Sequence, residues 1–132
     1  MIAGLLLMAA SAGAAHAHAD EQPINCGSCA KWNALHAPFK LHGNSFYVGV
    51  GGLSSVLITT PKCHFLIDGG VPQSAEVIKQ NIQALGFDVL DVEWLLNSHA
   101  HYDHAGGLAS LQRMSGAPIA ASSKTLKALE LG

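Results

Sequence analysis

The sequence predicts an α/β domain built on a mixed sheet. Three short runs rich in β-branched and aromatic residues come first, at 46–48, 55–59 and 64–67, and turn residues separate them. Helical and β patterns then alternate towards the C-terminus. Strands that follow one another directly pair as antiparallel hairpins, whereas strands joined through a helix pair in parallel. Both kinds of pairing are therefore expected within one sheet.

The first segment, residues 1–19, is predicted to be a signal peptide, separate from the domain at 20–132. Its run at 2–10 is apolar apart from one glycine, and two overlapping Ala-His-Ala patterns at 15–19 are typical of cleavage sites. The run is too short to cross a membrane. A buried amphipathic helix is disfavoured because the run has no polar face. We therefore expect an exported, periplasmic protein.

The cysteines are odd in number, so one of the three must stay unpaired within the chain. Cys26 and Cys29 have the C-x-x-C spacing of a redox pair or of half a zinc site. No second C-x-x-C follows, and no predicted strand precedes the first. One structural disulfide with one spare thiol is therefore favoured, and the sequence leaves the pairing with Cys63 open.

Residues 20–42 are predicted to be irregular, because Pro23, Gly27 and Pro38 interrupt any period. The first helix is expected to begin at Ser74, whose side chain can cap it, and to end at Gly86. Its apolar residues recur at helical spacing: Ala75, Ile78, Ile82 and Leu85.

The rest of the chain continues the alternation of strand and helix. A fourth strand is expected at 93–97, a second helix ends at Gly116, and a short strand follows at 119–121. A last helix begins at Ser122 or Ser123. The second helix presents three apolar residues on one face: Leu108, Leu111 and Met114.

The composition excludes two classes of binding protein. The formal net charge is −2 and the seven Lys and Arg are scattered, so no basic stripe exists to replace the counterions of nucleic-acid phosphates. No polybasic patch is present that would hold a membrane surface. We therefore expect no nucleic-acid partner and no stable membrane association after signal cleavage, and the oligomeric state is left open.

The segment at 97–107 carries the most informative side chains. His99 and His101 lie two residues apart, so in an extended segment they point to the same side. Asp103 and His104 follow in the turn that leads into the second helix. This segment starts just past a predicted strand, where α/β sheets commonly bind ligands. Imidazoles and a carboxylate suit Zn²⁺ first, with iron or manganese as alternatives, so these residues predict a metal site.

The motif His-x-His-x-Asp-His at 99–104 resembles the signature of the metallo-β-lactamase superfamily. Flanking segments are similar to subclass B3 of that superfamily, and the similarity covers nearly all of residues 31–132. The resemblance implies the αβ/βα sandwich fold, of which this chain would hold roughly the N-terminal half. The flanking segments are Gly-Asn-Ser-Phe-Tyr-Val-Gly at 43–49, Leu-Ile-Asp-Gly-Gly at 66–70, Asn-Ile-Gln-Ala-Leu-Gly-Phe at 81–87 and Leu-Gln-Arg-Met-Ser-Gly-Ala at 111–117.

The resemblance also implies a reaction, the hydrolysis of the β-lactam amide of antibiotics through a metal-bound hydroxide. His99 and His101 would bind a first Zn²⁺, Asp103 and His104 a second, and Asp103 would orient the attacking hydroxide as the catalytic residue. Each ion would take one further histidine from downstream of Gly132, so the chain alone is expected to be inactive. The alternatives are a thioester or lactone hydrolase of the same superfamily and an inactive truncated fragment. Which β-lactams would be accepted is left open.

Asp68, Trp32 and the remaining histidines complete the residues considered from the sequence. Asp68 is either a turn residue before two glycines or, as the resemblance implies, a residue behind the metal site that holds a ligand histidine. Trp32 could line a substrate groove as the resemblance implies, but a packing role is favoured. The remaining histidines of the mature chain are predicted to be surface or packing residues: His36, His42 and His64.

Overall fold

The computed structural model describes residues 22–131, so the predicted signal peptide at 1–19 lies outside the described residues. The strands are β1 Phe39–His42, β2 Ser45–Tyr47, β3 Val56–Thr59, β4 His64–Ile67, β5 Val92–Leu96 and β6 Ile119–Ala120. The helices are α1 Cys29–Trp32, α2 Ser74–Ala84, α3 Tyr102–Ala105, α4 Leu108–Ser115 and α5 Ser123–Leu131, with a 3₁₀ turn at Val89–Asp91. Within this part of the chain, no helix combines the length and apolar character needed to cross a membrane.

The six strands form one mixed sheet in sequence order, which confirms the predicted α/β class. From β1 to β4 the neighbouring strands run antiparallel, because short turns join them. From β4 to β6 the neighbours run parallel, because α2 and α4 provide the crossovers. The parallel part of the sheet therefore brings the carboxyl ends of β4 and β5 side by side.

One face of the sheet is buried under helices. Leu57, Leu66 and Leu95 are partners across β3, β4 and β5, and all three are fully buried. Ile78 and Ile82 of α2 belong to the same core. The apolar spacing predicted for the first helix thus places its residues against the sheet, and α4 adds Leu108 and Leu111 to this core.

The opposite face, which we call the open face, is also apolar but only partly buried. Ile58, Phe65 and Trp94 are partners across β3, β4 and β5, and Trp94 is 42% exposed. Val56 and Ile67 lie beside them and are half-buried. An apolar face of this kind is what a two-layer fold buries against another element.

Two elements lie in the segment predicted to be irregular, so that prediction is wrong at α1 and β1. The four residues of β1, Phe-Lys-Leu-His, alternate apolar and polar, but the strand is short, directly follows Pro38 and has only exposed side chains. Backbone pairing with β2 and the stacking of Phe39 on Tyr47, at 5.2 Å between ring centroids, hold it at the sheet edge. The single turn of α1 is too short for its period to be read.

The prediction that Ser74 caps the first helix is also wrong. Gln73 is the N-cap residue, and Ser74 is the first residue within α2. The Ser74 hydroxyl is buried and donates to Asn33 Oδ1 at 2.6 Å, so it ties the helix to the N-terminal segment instead. The end of the helix follows the prediction, since Gly86 adopts a φ of 84° just beyond it.

The N-terminal segment packs against the sheet through a second, smaller core, the N-terminal cluster, formed by Val50, Leu53 and Val71 with Ile24, Trp32 and Val77 around them. Cys26 and Cys29 form a disulfide beside it, and Cys63 is free, which agrees with the favoured pattern of one bridge and one thiol. Trp32 is a packing residue, as favoured from the sequence.

Candidate metal centre

Two loops at the carboxyl ends of neighbouring parallel strands form the candidate metal centre. Asp68 follows β4, and Asn97 and Ser98 follow β5. The amide of Asp68 donates to the Leu96 carbonyl at 2.8 Å, so the pairing of the two strands continues into the loops. The position matches the expectation that ligands bind where parallel strands end.

The structure places the four predicted metal ligands next to one another in pairs. The ring of His99 lies 4.7 Å from that of His101 and 4.0 Å from that of His104, centroid to centroid. Nε2 of His104 lies 3.6 Å from Oδ2 of Asp103. Asp103 and His104 stand on the helical turn α3, which leads into α4.

Asp68 is the hydrogen-bond acceptor behind these side chains. Its Oδ1 accepts from Asn97 Nδ2 at 3.1 Å and from the Ser98 amide at 2.8 Å. Its Oδ2 accepts from the Ser98 hydroxyl at 2.6 Å and lies 2.8 Å from Nδ1 of His104. Asp68 is buried and adopts a φ of 58°, a left-handed conformation that Asp tolerates better than most side chains. Asp68 thus contacts a motif histidine, and its role behind a metal site stays a prediction.

Glycines let the two loops approach at backbone distance. The Gly69 amide donates to the His104 carbonyl at 2.8 Å, and the Gly107 amide donates to the Gly70 carbonyl at 3.0 Å. A Cβ at Gly107 would overlap the Gly69 carbonyl oxygen. The Gly-Gly sequence after the motif is thus required by packing, and it fixes α3 against the end of β4.

The donor types fit zinc. Ligand atoms about 2.1 Å from a tetrahedral ion lie about 3.4 Å apart, close to the 3.6 Å between His104 Nε2 and Asp103 Oδ2. Within residues 22–131, however, no group of three or more His, Cys, Asp or Glu side chains is arranged to hold an ion. The motif therefore supplies zinc-type donors without a complete set of ligands among these residues.

The other histidines lie away from this centre. The ring of His36 packs against Phe39 and Tyr47, and His64 is buried with its ring edge-on to Phe87. His42 is exposed on β1. These positions agree with the predicted packing and surface roles. Ser98 was not singled out from the sequence, because a serine before a histidine carries no signal until its hydrogen bonds are known.

The family model of the metallo-β-lactamase superfamily matches residues 48–131, more than half of the chain. The chain belongs to this superfamily. The motif, the strands β3 to β6 and the loops at the ends of β4 and β5 all lie within the matched residues. Membership in this superfamily implies a metal at the centre described above, which agrees with the donor types of the motif.

Several solved metallo-β-lactamases are similar to this chain. Rm3 metallo-β-lactamase is 60% identical with a TM-score of 0.75, over 77% of this chain and 38% of that one. MEM-A1, a subclass B3 enzyme from a soil metagenome library, is 54% identical with a TM-score of 0.73, over 74% and 37%. The chain thus spans less than half the length of these relatives, and the predicted similarity to the N-terminal part of subclass B3 enzymes is confirmed.

One further relative differs within the motif itself. A metallo-β-lactamase of Cronobacter sakazakii, described by its HARLDQ motif, is 44% identical with a TM-score of 0.74, over 76% of this chain and 37% of that one. Residues 99–104 of this chain, compared with that motif letter by letter, read HAHYDH. His99 and Asp103 are shared, whereas His101 and His104 stand opposite Arg and Gln.

Proposed function

We propose that the full-length protein is an exported, periplasmic zinc-dependent β-lactamase that opens the β-lactam amide of antibiotics. The observation that carries this proposal is that His104 lies against both His99 and Asp103 just past the end of β5, in a chain 54–60% identical to two metallo-β-lactamases. Residues 1–19 would direct export and would be removed from the mature protein.

His99 and His101 would hold one zinc ion, and Asp103 and His104 a second. Zinc in such a site acidifies a bound water to a pKa of about 7 and polarises a carbonyl oxygen. Because each ion has only two ligands in this segment, the remaining ligands would come from further residues of the full-length protein. Without those ligands, no activity is expected.

The residues of this chain supply orientation. Oδ2 of Asp103 faces Nε2 of His104, so the carboxylate can accept a hydrogen bond from the attacking water and direct it at the amide carbon. Asp68 holds His104 from behind, so that this ring keeps its direction during turnover. The sequence has one S-x-x-K spacing, from Ser28 to Lys31, but it lies at α1 in the N-terminal segment, includes the disulfide-bonded Cys29 and forms no part of the centre.

A β-lactam is the proposed substrate because the similar structures are β-lactamases. One of them, SMB-1, has been solved with mercaptoacetic acid, a small thiol carboxylate. The motif by itself serves other hydrolases of the fold, so the substrate class needs its own test. The full-length protein, stripped of metal by a chelator and then reloaded with zinc, is expected to hydrolyse nitrocefin only in the zinc-loaded form. Activity confined to thioesters or acyl lactones would overturn the proposal.

Substitution of Asp103 tests the mechanism within the same protein. Asp103→Ala is expected to lower kcat for nitrocefin by more than about 100-fold. This exceeds the loss of activity usually caused by replacing a residue that only holds a metal ligand in place. Asp91→Ala, at an exposed carboxylate outside the centre, is the matched control and should keep the parental rate. Near-normal turnover by Asp103→Ala would remove this residue from the mechanism.

A further inference from the structure

Ser98 lies between the two loops of the centre, and no expectation from the sequence gave it a role. Its hydroxyl is 2.6 Å from Asp68 Oδ2, 3.1 Å from Nδ1 of His99 and 3.3 Å from Nδ1 of His104. We propose that Ser98 is a positioning residue whose hydroxyl fixes the ring tautomer of His99, so that Nε2 of this ring is free to bind the metal. This inference rests on the proposed function, which supplies the metal that His99 would bind.

The first step is the account of Asp68. An ionised carboxylate accepts about four hydrogen bonds and donates none. The four groups around Asp68 are Asn97 Nδ2, the Ser98 amide, the Ser98 hydroxyl and His104 Nδ1. All four must therefore act as donors. Asp68 has no free lone pair for a metal, and it requires His104 to carry its proton on Nδ1.

The second step concerns the hydroxyl proton of Ser98. A serine hydroxyl has one proton and two lone pairs. The proton is committed to Asp68 Oδ2, so the oxygen can only accept from the imidazole beside it. His99 must then donate through Nδ1–H. A neutral imidazole with its proton on Nδ1 leaves the lone pair on Nε2, the arrangement a metal ligand needs.

Together the two steps assign the donor and the acceptor of each hydrogen bond between Asp68, Ser98 and the two histidines. Asp68 sets the tautomer of His104 directly and that of His99 through Ser98. The two rings lie 4.0 Å apart, so both Nε2 atoms are prepared on neighbouring rings before any metal is present. Ser98 is itself exposed, so its removal creates no cavity and leaves the packing of the loops intact.

The test in the metal-free protein is the imidazole ¹⁵N NMR spectrum of the full-length protein at about pH 8.5, where ordinary histidines are neutral. In the parent and in Ser98→Thr, which keeps a hydroxyl, His99 is expected as the Nδ1–H tautomer. In Ser98→Ala it should shift towards the Nε2–H tautomer that unconstrained imidazoles favour in water, while His104 stays Nδ1–H through Asp68. An Nδ1–H tautomer of His99 in Ser98→Ala would overturn the proposal.

The second measurement is zinc affinity, by competition with a chromophoric chelator. Ser98→Ala should bind zinc about 10- to 100-fold more weakly than the parent, the usual cost of losing a partner behind a ligand. Ser98→Thr should bind like the parent, and so should the control Ser110→Ala, whose hydroxyl bonds to Arg113 outside the centre. If the parent binds no zinc, the proposed function fails while the NMR result still decides the tautomer. If the parent binds zinc and Ser98→Ala binds equally well, the role of Ser98 is refuted and the proposed function stands.

Discussion

His104 and His101 belong to the same short motif, but their surroundings differ. Nδ1 of His104 lies 2.8 Å from the buried carboxylate of Asp68, and its carbonyl accepts from the Gly69 amide. His101 is exposed, its ring touches that of His99 edge-on, and no hydrogen bond of its imidazole is found within residues 22–131. The protein therefore sets the direction of one ring in advance and leaves the other to be set by the metal.

The Cronobacter sakazakii relative sharpens this contrast. Its HARLDQ motif has Arg in place of His101 and Gln in place of His104, yet its structure matches this chain with a TM-score of 0.74. Neither imidazole is thus needed for the fold. The loops that hold His104 are nevertheless packed against each other. We therefore expect substitutions in these loops to lower the free energy of unfolding, whereas substitutions at His101 should affect only metal binding.

The largest effect on stability is expected from Gly107→Ala. The added methyl group would overlap the Gly69 carbonyl oxygen, so the loops after β4 and α3 must separate. We expect a loss of about 3 kcal/mol in the free energy of unfolding, at the upper end of overpacking effects, measured by urea denaturation. Gly27→Ala is the control, because nothing lies within 4 Å of its Cβ. Equal stability of the two variants would show that the loop contact is not tight.

Asp68→Asn is expected to have the next largest effect. Asn adopts the left-handed backbone as readily as Asp, so the backbone should not be disturbed. The amide group has only one acceptor oxygen, which leaves two of the four donors around residue 68 without a partner. We expect a loss of about 2 kcal/mol in the metal-free protein by thermal unfolding. Asp91→Asn, on the exposed 3₁₀ turn, should be neutral, and an equally neutral Asp68→Asn would mean that the network contributes nothing.

His101→Ala is expected to have the smallest effect on stability. Because the ring is exposed and lacks hydrogen bonds within the described residues, its loss should change the free energy of unfolding of the metal-free protein by less than about 0.5 kcal/mol. Zinc affinity should still fall, since the ring is a predicted ligand. Thermal unfolding with and without zinc separates the two outcomes. A large loss of stability without metal would erase the contrast with His104.

The sequence predicted the regular part of the fold well. The α2 and α4 segments have apolar residues at helical spacing, β3 and β4 are short apolar runs bounded by turn residues, and each element forms where these patterns predict. The strand β1 was missed because its alternation of apolar and polar residues covers only four positions and directly follows Pro38, which was interpreted as part of an irregular segment. Ser74 was misread because a serine before a helical pattern favours an N-cap, and only its contact with the distant Asn33 shows otherwise.

The candidate site divides in the same way. His99, His101, Asp103 and His104 lie within six residues, so their spacing was enough to place them together. The role of Ser98 depends on which atom donates to which, and that depends on Asp68, thirty residues away in the chain. Such contacts form because β4 pairs with β5, and no pattern of neighbouring residues in the sequence predicts them.

The exposure of Trp94 gives the protein an optical reporter. The chain contains two tryptophans, with Trp32 in the N-terminal cluster and Trp94 on the open face. A Trp32→Phe chain would fluoresce from the open face alone. Because indole emission moves to shorter wavelength as the ring leaves water, any surface that covers the sheet would be recorded as a blue shift. Assembly of the complete sandwich could thus be followed in real time without an added label.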